Sequence, residues 1–346
     1  VPTDPLPAKG DAAFVLPFAD WKVTLDGKDL TDKLSPRLLS LRLTETRGES
    51  ADEFEIVLHD HDGKLALPPE GARLKVQLGW ARGTGVKVGL VDKGSFKVDE
   101  VSWSGPPDTV TITGRSADFK ESFRTRKTRI WKDQTLGGIL GKIAGEHGLA
   151  ARCHPDLSGK PVKAAEQHNK SDMELLRDLG RRYDAVATTK DGALILAPID
   201  ANTTATGKAI PTIALTRRDG DRYSYRRASR ENGQDGAEAQ WHDPATGKRR
   251  KVQQGGGKRR RLKRVYASEG DAKAAAGSEA KRLKRAAASF QLDLAYGDAT
   301  ASAGAKATAK GYKDEVDAKA WRIAKVEHRM DADGGFVSQI EMEAAG

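Results

Sequence analysis

Phe96-Lys97-Val98-Asp99-Glu100-Val101-Ser102-Trp103 recurs in outline as Trp321-Arg322-Ile323-Ala324-Lys325-Val326-Glu327-His328. In both stretches large apolar side chains stand at offsets 0, 2 and 5, and a ring stands at offset 7. Spacing this close to a period of two is the mark of strands with one buried face. Each stretch follows a segment ending Gly-aromatic, Gly79-Trp80 in one case and Gly311-Tyr312 in the other. Each precedes another alternating segment, with Val110 and Ile112 in the first and Val337 and Ile340 in the second. The echo predicts two similar β modules in one chain, flanking inserted material.

Outward from Phe96 the pattern remains that of strands. Trp21-Lys22-Val23-Thr24-Leu25 alternates and meets Asp26-Gly27, a hairpin turn signal. Phe54–Leu58, Leu74–Leu78 and Thr109–Thr113 repeat the period, with Pro106-Pro107 in a turn. Short strands with turn signals argue for a β-barrel or sandwich. From about Ala117 the period changes. Thr135-Leu136 opens a helix with Ile139, Leu140, Ile143 and Ala144 on one face, ending near Gly148. Ser171-Asp172-Met173-Glu174 has capping-box spacing and leads Leu175, Leu176, Leu179 and Tyr183 onto a second helical face. Lys190-Asp191-Gly192 reads as a tight turn between two short strands.

After Pro198 strands return, and Glu269–Ala288 is rich enough in Ala, Lys, Arg and Glu to favour helix. The expected fold class is therefore α+β, mainly β: two related β-barrel domains flanking a small α+β domain. The expected boundaries are 1–116, 117–200 and 201–346, the last with an inserted basic hairpin (about 241–264) and helix (about 269–288). A length of 346 residues suits two or three domains of this size.

The charge is concentrated. Lys and Arg total 59 against 49 Asp and Glu. Ten cations fall between positions 248 and 264 with no acid among them: Lys248, Arg249, Arg250, Lys251, Lys258, Arg259, Arg260, Arg261, Lys263 and Arg264. The other 49 bases equal the 49 acids, so this segment carries the whole imbalance of +10. Gln253–Gly257 between its halves reads as a polar, glycine-rich turn, which makes the segment a finger or hairpin. It faces either solvent or something anionic, such as nucleic acid or an acidic protein surface. Aromatic interleaving for base stacking is missing until Tyr266.

Few residues point to chemistry. Gly255-Gly256-Gly257-Lys258 is followed by Arg259 and lacks the upstream glycine of a phosphate loop. Gly83–Gly89 is one residue off the dinucleotide fingerprint, and no Gly-x-Ser-x-Gly elbow occurs. His147, Cys153, His154 and His168 have metal-ligand side chains, but their spacing matches no zinc pattern. His59-Asp60-His61-Asp62-Gly63 lacks the later carboxylate of a calcium loop and reads as a turn. Asp99 and Glu100 read as an exposed strand face, and His328 as a packed or edge histidine. The expectation is no catalytic residue, no cofactor and no metal. No run approaches the 18 or so apolar residues of a membrane helix, so no membrane insertion is expected. Val1–Gly10 lacks the order of a secretory signal. One cysteine, Cys153, excludes an intrachain disulfide framework.

Several segments, taken in order, resemble the late control D family of contractile-tailed phages, which are tail baseplate hub proteins. They include Asp62-Gly63-Lys64-Leu65-Ala66-Leu67-Pro68-Pro69-Glu70-Gly71, Leu78-Gly79-Trp80, Val98-Asp99-Glu100-Val101 and Gly105-Pro106-Pro107-Asp108. Ala117-Asp118-Phe119, Trp131, Thr135–Ile139, His147-Gly148-Leu149, Ser171–Leu176 and Arg182-Tyr183-Asp184-Ala185 follow. The carboxyl half adds Trp241-His242-Asp243, Thr246-Gly247-Lys248, Arg261–Tyr266, Gly311-Tyr312-Lys313, Trp321-Arg322-Ile323, Val326-Glu327-His328 and Gly334-Gly335-Phe336. The order spans about Phe18 to Glu343.

The resemblance implies a homotrimer at the centre of a baseplate, related to the hub-like amino-terminal part of type VI secretion spike proteins. Two barrels per chain then give six units from three chains, so that a threefold central spike docks beneath a sixfold tail tube. It implies as partners the chain itself, the spike protein, a tube or tube-adaptor protein and the tape-measure protein, with transient contact to exiting DNA. It places the protein in the baseplate of a virion or tail-like particle assembled in the host cytoplasm. The density of cations at 248–264 departs from the family pattern, and would lie at a subunit interface or toward the lumen. The alternative is a nucleic-acid-binding protein using that segment. A lytic enzyme is the third reading, but the resemblance leaves no spare length for one and no acid pair stands out.

Overall fold

Most of the period-two alternation is realised as strand, because it gives each segment one apolar face to bury. The computed structural model describes residues 14–345 except 49, 70, 117–122, 124, 191, 228–232 and 334. Val1–Gly10, Glu70, Ala117-Asp118-Phe119, Asp191 and Gly334 of the motifs above lie outside the described residues. The fold is α+β and mainly β. No described helix is long and apolar enough to cross a membrane.

The first part contains β1 (Phe18–Leu25), β2 (Lys28–Asp29), the single-turn α1 (Thr31–Leu34), β3 (Leu38–Thr46), β4 (Glu53–His59), β5 (Arg73–Arg82), β6 (Gly89–Ser104) and β7 (Thr109–Arg115). Asp26 and Gly27 join β1 to β2 with φ of 46° and 85°, the left-handed pair a two-residue hairpin needs. The strands lie side by side as β1-β5-β6-β7-β4-β3, each antiparallel to its neighbours. Their inward residues, among them Val23, Leu43, Phe54, Val76 and Phe96, form one core.

The middle part contains β8 (Arg126–Thr135), α2 (Leu136–Glu146), β9 (Ala150–Cys153), α3 (Pro155–Ser158), β10 (Pro161–Ser171), α4 (Asp172–Tyr183), β11 (Ala185–Lys190) and β12 (Ala193–Pro198). The apolar faces predicted for α2 and α4 bury together in a second core. Ser171 caps α4 as its spacing predicts: its Oγ accepts from the Glu174 amide at 3.2 Å, and Glu174 accepts from the Ser171 amide at 2.7 Å.

The last part contains β13 (Thr212–Thr216), β14 (Gly220–Arg227), β15 (Gly236–Asp243), β16 (Lys248–Gly255), β17 (Arg259–Tyr266), α5 (Glu269–Arg285), β18 (Ala288–Leu294), β19 (Lys306–Lys310), α6 (Asp314–Asp317), β20 (Ala320–Asp331) and β21 (Phe336–Ala344). Helix α5 stops at Arg285, short of the predicted Ala288. Ala288 instead pairs with Arg227 on β14, so sheet pairing overrides alanine's helical preference.

Six of these strands repeat the first part strand for strand. They lie in the order β13-β19-β20-β21-β18-β14, with β13, β14, β18, β19, β20 and β21 in the places of β1, β3, β4, β5, β6 and β7. The registers agree as well. Val98↔Gly114 and Glu100↔Thr113 correspond to Ile323↔Met342 and Lys325↔Glu341, leaving Asp99 and Ala324 as the extra residues of equivalent bulges. A second matching bulge leaves out Leu39 on β3 and Asp221 on β14. The bulge explains the offsets 0, 2, 5 and 7: one extra residue shifts the alternation, so 5 and 7 return to the core side.

Two details of the echo change. Gly311 lies past the end of β19 at φ 87°, so Gly311-Tyr312 is no counterpart of Gly79-Trp80 inside β5. Ser338, not Val337, occupies the place of Val110: Trp103 pairs with Val110 and His328 with Ser338. One strand differs in direction, since β13 is parallel to β19 whereas β1 is antiparallel to β5.

The two β units flank the middle part in sequence but join directly in space. One edge of β20 meets β19 along Ala320–Arg322, then β3 along Lys325–Asp331. The change of partner falls at the bulged Ala324, whose carbonyl accepts from the Arg47 amide at 2.8 Å. Thirteen described strands thus form one continuous sheet.

Candidate assembly surfaces

The ten clustered cations sit in material inserted between β14 and β18, where the twin strands β3 and β4 are joined by a short link. They do not form the expected hairpin with each other. β15 runs between their two strands, antiparallel to β16 and parallel to β17. The true hairpin is β15–β16, closed at Pro244–Gly247. There the Asp243 carboxylate accepts from the Ala245 amide and the Thr246 hydroxyl, at 3.0 and 2.8 Å. Gly255, at φ 81°, turns the chain past the start of β15, where Asp235 accepts from the Gly256 amide. Side-by-side pairing of β16 and β17 would set like charges opposite each other. β15 separates them and supplies Glu238 and Asp243.

All ten are exposed. Among the described residues three form ion pairs: Arg250 with Asp243 at 2.8 Å, Lys251 with Glu238 at 3.3 Å and Arg260 with Glu279 at 3.1 Å. Hydrogen bonds from Gln253 and then Lys251 hold the Glu238 carboxyl below its ordinary range. One face of the small sheet is apolar: Ala237 and Ala239 pack on Ala272 and Ala276 of α5, rimmed by Trp241, Val252, Leu262 and Tyr266. By register, Arg249, Lys251 and Arg261 stand on the opposite face beside His242, Gln240 and Glu238. The result is an outward face that is strongly cationic and anchored from behind.

The anchor is a buried junction of charges between α5 and the middle part. Asp271 meets Arg182 at 3.2 Å and accepts from the Tyr183 hydroxyl at 2.9 Å. Arg285 binds Asp184, and also reaches Asp200 at 3.0 Å and Glu343 at 3.4 Å. Arg182, Asp271, Arg285 and Asp184 have largely left water, so each needs its partners to offset desolvation.

The residues with chemical side chains are dispersed into structural roles. His147 Nε2 meets Asp172 at 2.8 Å, and its ring stacks on Phe123 with centroids 3.7 Å apart. His154 accepts from the Asp156 amide and meets the Thr203 hydroxyl at 2.8 Å. Cys153 is half-buried, and burial pushes its thiol up to about 11. Among the described residues no three His, Cys, Asp or Glu side chains gather as a metal site. Asp62 holds Arg37 through contacts of 2.8 and 2.7 Å, so the His59–Gly63 segment serves as a braced turn. Asp99 and Glu100 are exposed, Asp99 lying 3.5 Å from Arg115. His328 is fully buried, its ring between Ser338 Oγ at 2.7 Å and the Ala301 carbonyl at 3.3 Å.

Sequence reasoning missed two surface aromatics at strand edges. Trp103 is 59% exposed and Tyr223 49% exposed. No sequence signal separated Trp103 from His328, since both stand at offset 7 of the echo and only the structure buries one and exposes the other.

Residues 52–334 match the phage tail baseplate hub family. Over 365 aligned positions the chain is 33% identical to a protein of Escherichia phage P2 named "Probable baseplate hub protein", covering 94% of this chain and 92% of that one. Among solved structures, a tail protein from Neisseria meningitidis superposes with a TM-score of 0.66 at 9% identity, covering 94% of this chain and 96% of the other. A component of the Escherichia coli type VI secretion system, itself described as similar to bacteriophage tail proteins, superposes at 0.58 with 11% identity, covering 94% and 77%. The resemblance read from the ordered segments agrees with these matches.

Proposed function

The chain belongs to the phage tail baseplate hub family, and on that premise we propose that it assembles as a homotrimer joining the sixfold tail tube to the threefold central spike. Its place is the baseplate hub of a phage tail or tail-like particle, put together in the host cytoplasm. The work is binding rather than turnover, in keeping with relatives named as hub and tail proteins.

The observation that carries this reading is the repeated unit. Two six-stranded units share strand order, ladder register and two bulges within one chain. We take each unit, with its own core, as one barrel-like domain, and the part between them as the small α+β domain. Three copies then set six near-equivalent units around an axis, the arrangement a sixfold tube and a threefold spike both require. Light scattering on the eluted protein tests it: a mass near three times 37.4 kDa is expected, alone or with the spike protein bound. A single chain per spike protein overturns it.

The cationic face of β16 and β17 is proposed to meet acidic surface on a partner, the spike, tube or tape-measure protein. Arg250 and Arg260 already form ion pairs, whereas Arg249, Arg259 and Arg261 form none among the described residues and are the sharper set. Neutralising all three lowers particle assembly or infectivity under this reading, and particles of full activity discard it. A second reading, contact with exiting DNA, is favoured by the exposure of the whole face. It predicts DNA affinity that falls steeply with salt and is lost in the same variant.

A further inference from the structure

Among the described residues, helix α5 packs through two of its faces. Ala272 and Ala276 lie on the small sheet, and Asp271 and Ser278 bond to α4 through Arg182, Tyr183 and the Arg181 carbonyl. A third face carries Gly270, Ala274, Gly277 and Lys281, spaced i, i+4, i+7 and i+11 along one helical stripe. That stripe is one wall of a groove of about 900 Å³, and Leu157, Pro161, Val162 and Tyr183 line it from the middle part. The Tyr183 hydroxyl, donating to the Pro161 carbonyl at 2.9 Å, fixes that second wall.

No described contact requires glycine at 277. A Cβ there would meet no atom within 4 Å, and one at Gly270 would meet only the Ser268 Oγ, at 3.9 Å. Glycine inside a helix is less stable than alanine, so both positions weaken α5 and leave its backbone bare toward the groove. From Gly270 to Lys281 the helix rises about 16 Å, or three turns. β8 and β10 reach the groove with their ends, where Thr135 pairs with Pro161, so they offer it no strand edge to extend. A trough walled by small residues suits the close approach of a second helix.

The rim of the groove is basic. Its acids are already paired: Asp133 with Lys163 at 2.5 Å, Asp271 with Arg182 at 3.2 Å, and Asp184 with Arg285. Lys160 and Lys273 are exposed and form no ion pair among the described residues, and Lys281 shares Asp184 from 3.6 Å. We propose that this groove docks a helix of a partner protein, about three turns long, apolar along one stripe and acidic on both flanks. The apolar stripe enters between the bare backbone at Gly277 and the wall at Pro161. The acidic flanks meet Lys160 on one side, and Lys273 and Lys281 on the other. All of these residues belong to one chain, so the site does not depend on the homotrimer.

A designed peptide tests this chemistry: about three helical turns with leucines along one stripe and glutamates on both flanks, fluorescein-labelled and titrated with the full chain by anisotropy. It should bind at least about tenfold more tightly than a lysine-flanked counterpart. Gly277→Leu places a side chain in the groove where its Cβ meets no described atom. It should weaken binding at least about tenfold while the chain melts no lower than the parent. Lys160→Glu with Lys273→Glu should reverse the preference between the two peptides. No binding, equal binding of both peptides, or parent-like binding to Gly277→Leu overturns the proposal. A proline-broken peptide that binds as well as the intact one assigns the groove to an extended segment and overturns it too. Self-association of the parent that Gly277→Leu abolishes in light scattering assigns the groove to a second copy, with the same result.

Discussion

Phe290 and Trp321 pack with ring centroids 5.6 Å apart and planes tilted 39°. Phe54 and Phe96, at the equivalent places of the other β unit, lie 5.6 Å apart and tilted 36°. Such agreement follows from the shared ladder register: the strands carrying each pair are held at the same separation and stagger, so their rings meet in one geometry. All four side chains are at most 1% exposed, which makes them the centre of each unit's core.

Truncating either pair should therefore be costly in the same way. Phe54→Ala and Phe290→Ala are each expected to lower stability by about 3–5 kcal/mol, the range for buried aromatic truncations. Urea unfolding followed by tryptophan fluorescence checks this. A loss below about 1 kcal/mol in either would deny the pair its central place.

Asp172 ties the middle part together. It receives Lys127 at 2.6 Å, Arg129 at 2.7 Å and Gln167 at 2.8 Å, besides His147. Burial by itself would raise its pKa, but the hydrogen bonds from Lys127, Gln167 and His147 and the Arg129 charge outweigh it and hold the group at about 2. A depressed carboxylate stabilises above its unfolded value near 3.8, and that contribution is lost as pH falls through about 2. The expected size is about 2 kcal/mol. Asp172→Asn should be less stable than the parent by roughly that amount at pH 7, with the gap closing between pH 4 and 2 in pH-dependent unfolding.

His328 acts at higher pH and in the same direction. Burial first, and then the nearby Lys93 charge, keep its pKa well below 6.5, so the folded protein holds it neutral. The unfolded chain takes up that proton below 6.5 and gains relative to the fold. Stability from this group is full above that pH and declines below it by about 1.4 kcal/mol per pH unit until the folded value is reached. Thermal melts of His328→Asn against the parent from pH 7 to 5 should show the parent losing more; parallel curves would refute the assignment.

Arg285 is the keystone of the junction that carries the cationic sheet. Arg285→Met leaves Asp184 and Asp200 without their main cation in a nearly closed site. Breaking such a cluster from one side should cost about 3–5 kcal/mol. Limited proteolysis should then cut first in the β15–α5 region; a pattern like the parent's would show that the insert is held by other contacts.

Much of this could be read from residue order alone. The alternation in Phe54–Leu58, the cap at Ser171 and Glu174, and the echo of Phe96 in Trp321 are local, so neighbours in the chain suffice to show them. The same holds for the excess of charge at 248–264. Other features depend on residues far apart in sequence. Nothing near Lys251 or Arg259 says that β15 will run between them, because a strand's partners are set by which edges remain open after folding. The bulge at Ala324 was visible only as an odd offset until β21 lay beside it. Whether Trp103 packs inside or faces water turns on which strands lie along β6, which beyond Lys97 pairs with β7 alone among the described strands, a property of the assembled sheet. Periodicity thus determines which elements form and which faces they bury. Tertiary structure alone decides who sits beside whom, since pairing is a long-range contest that adjacent residues do not record.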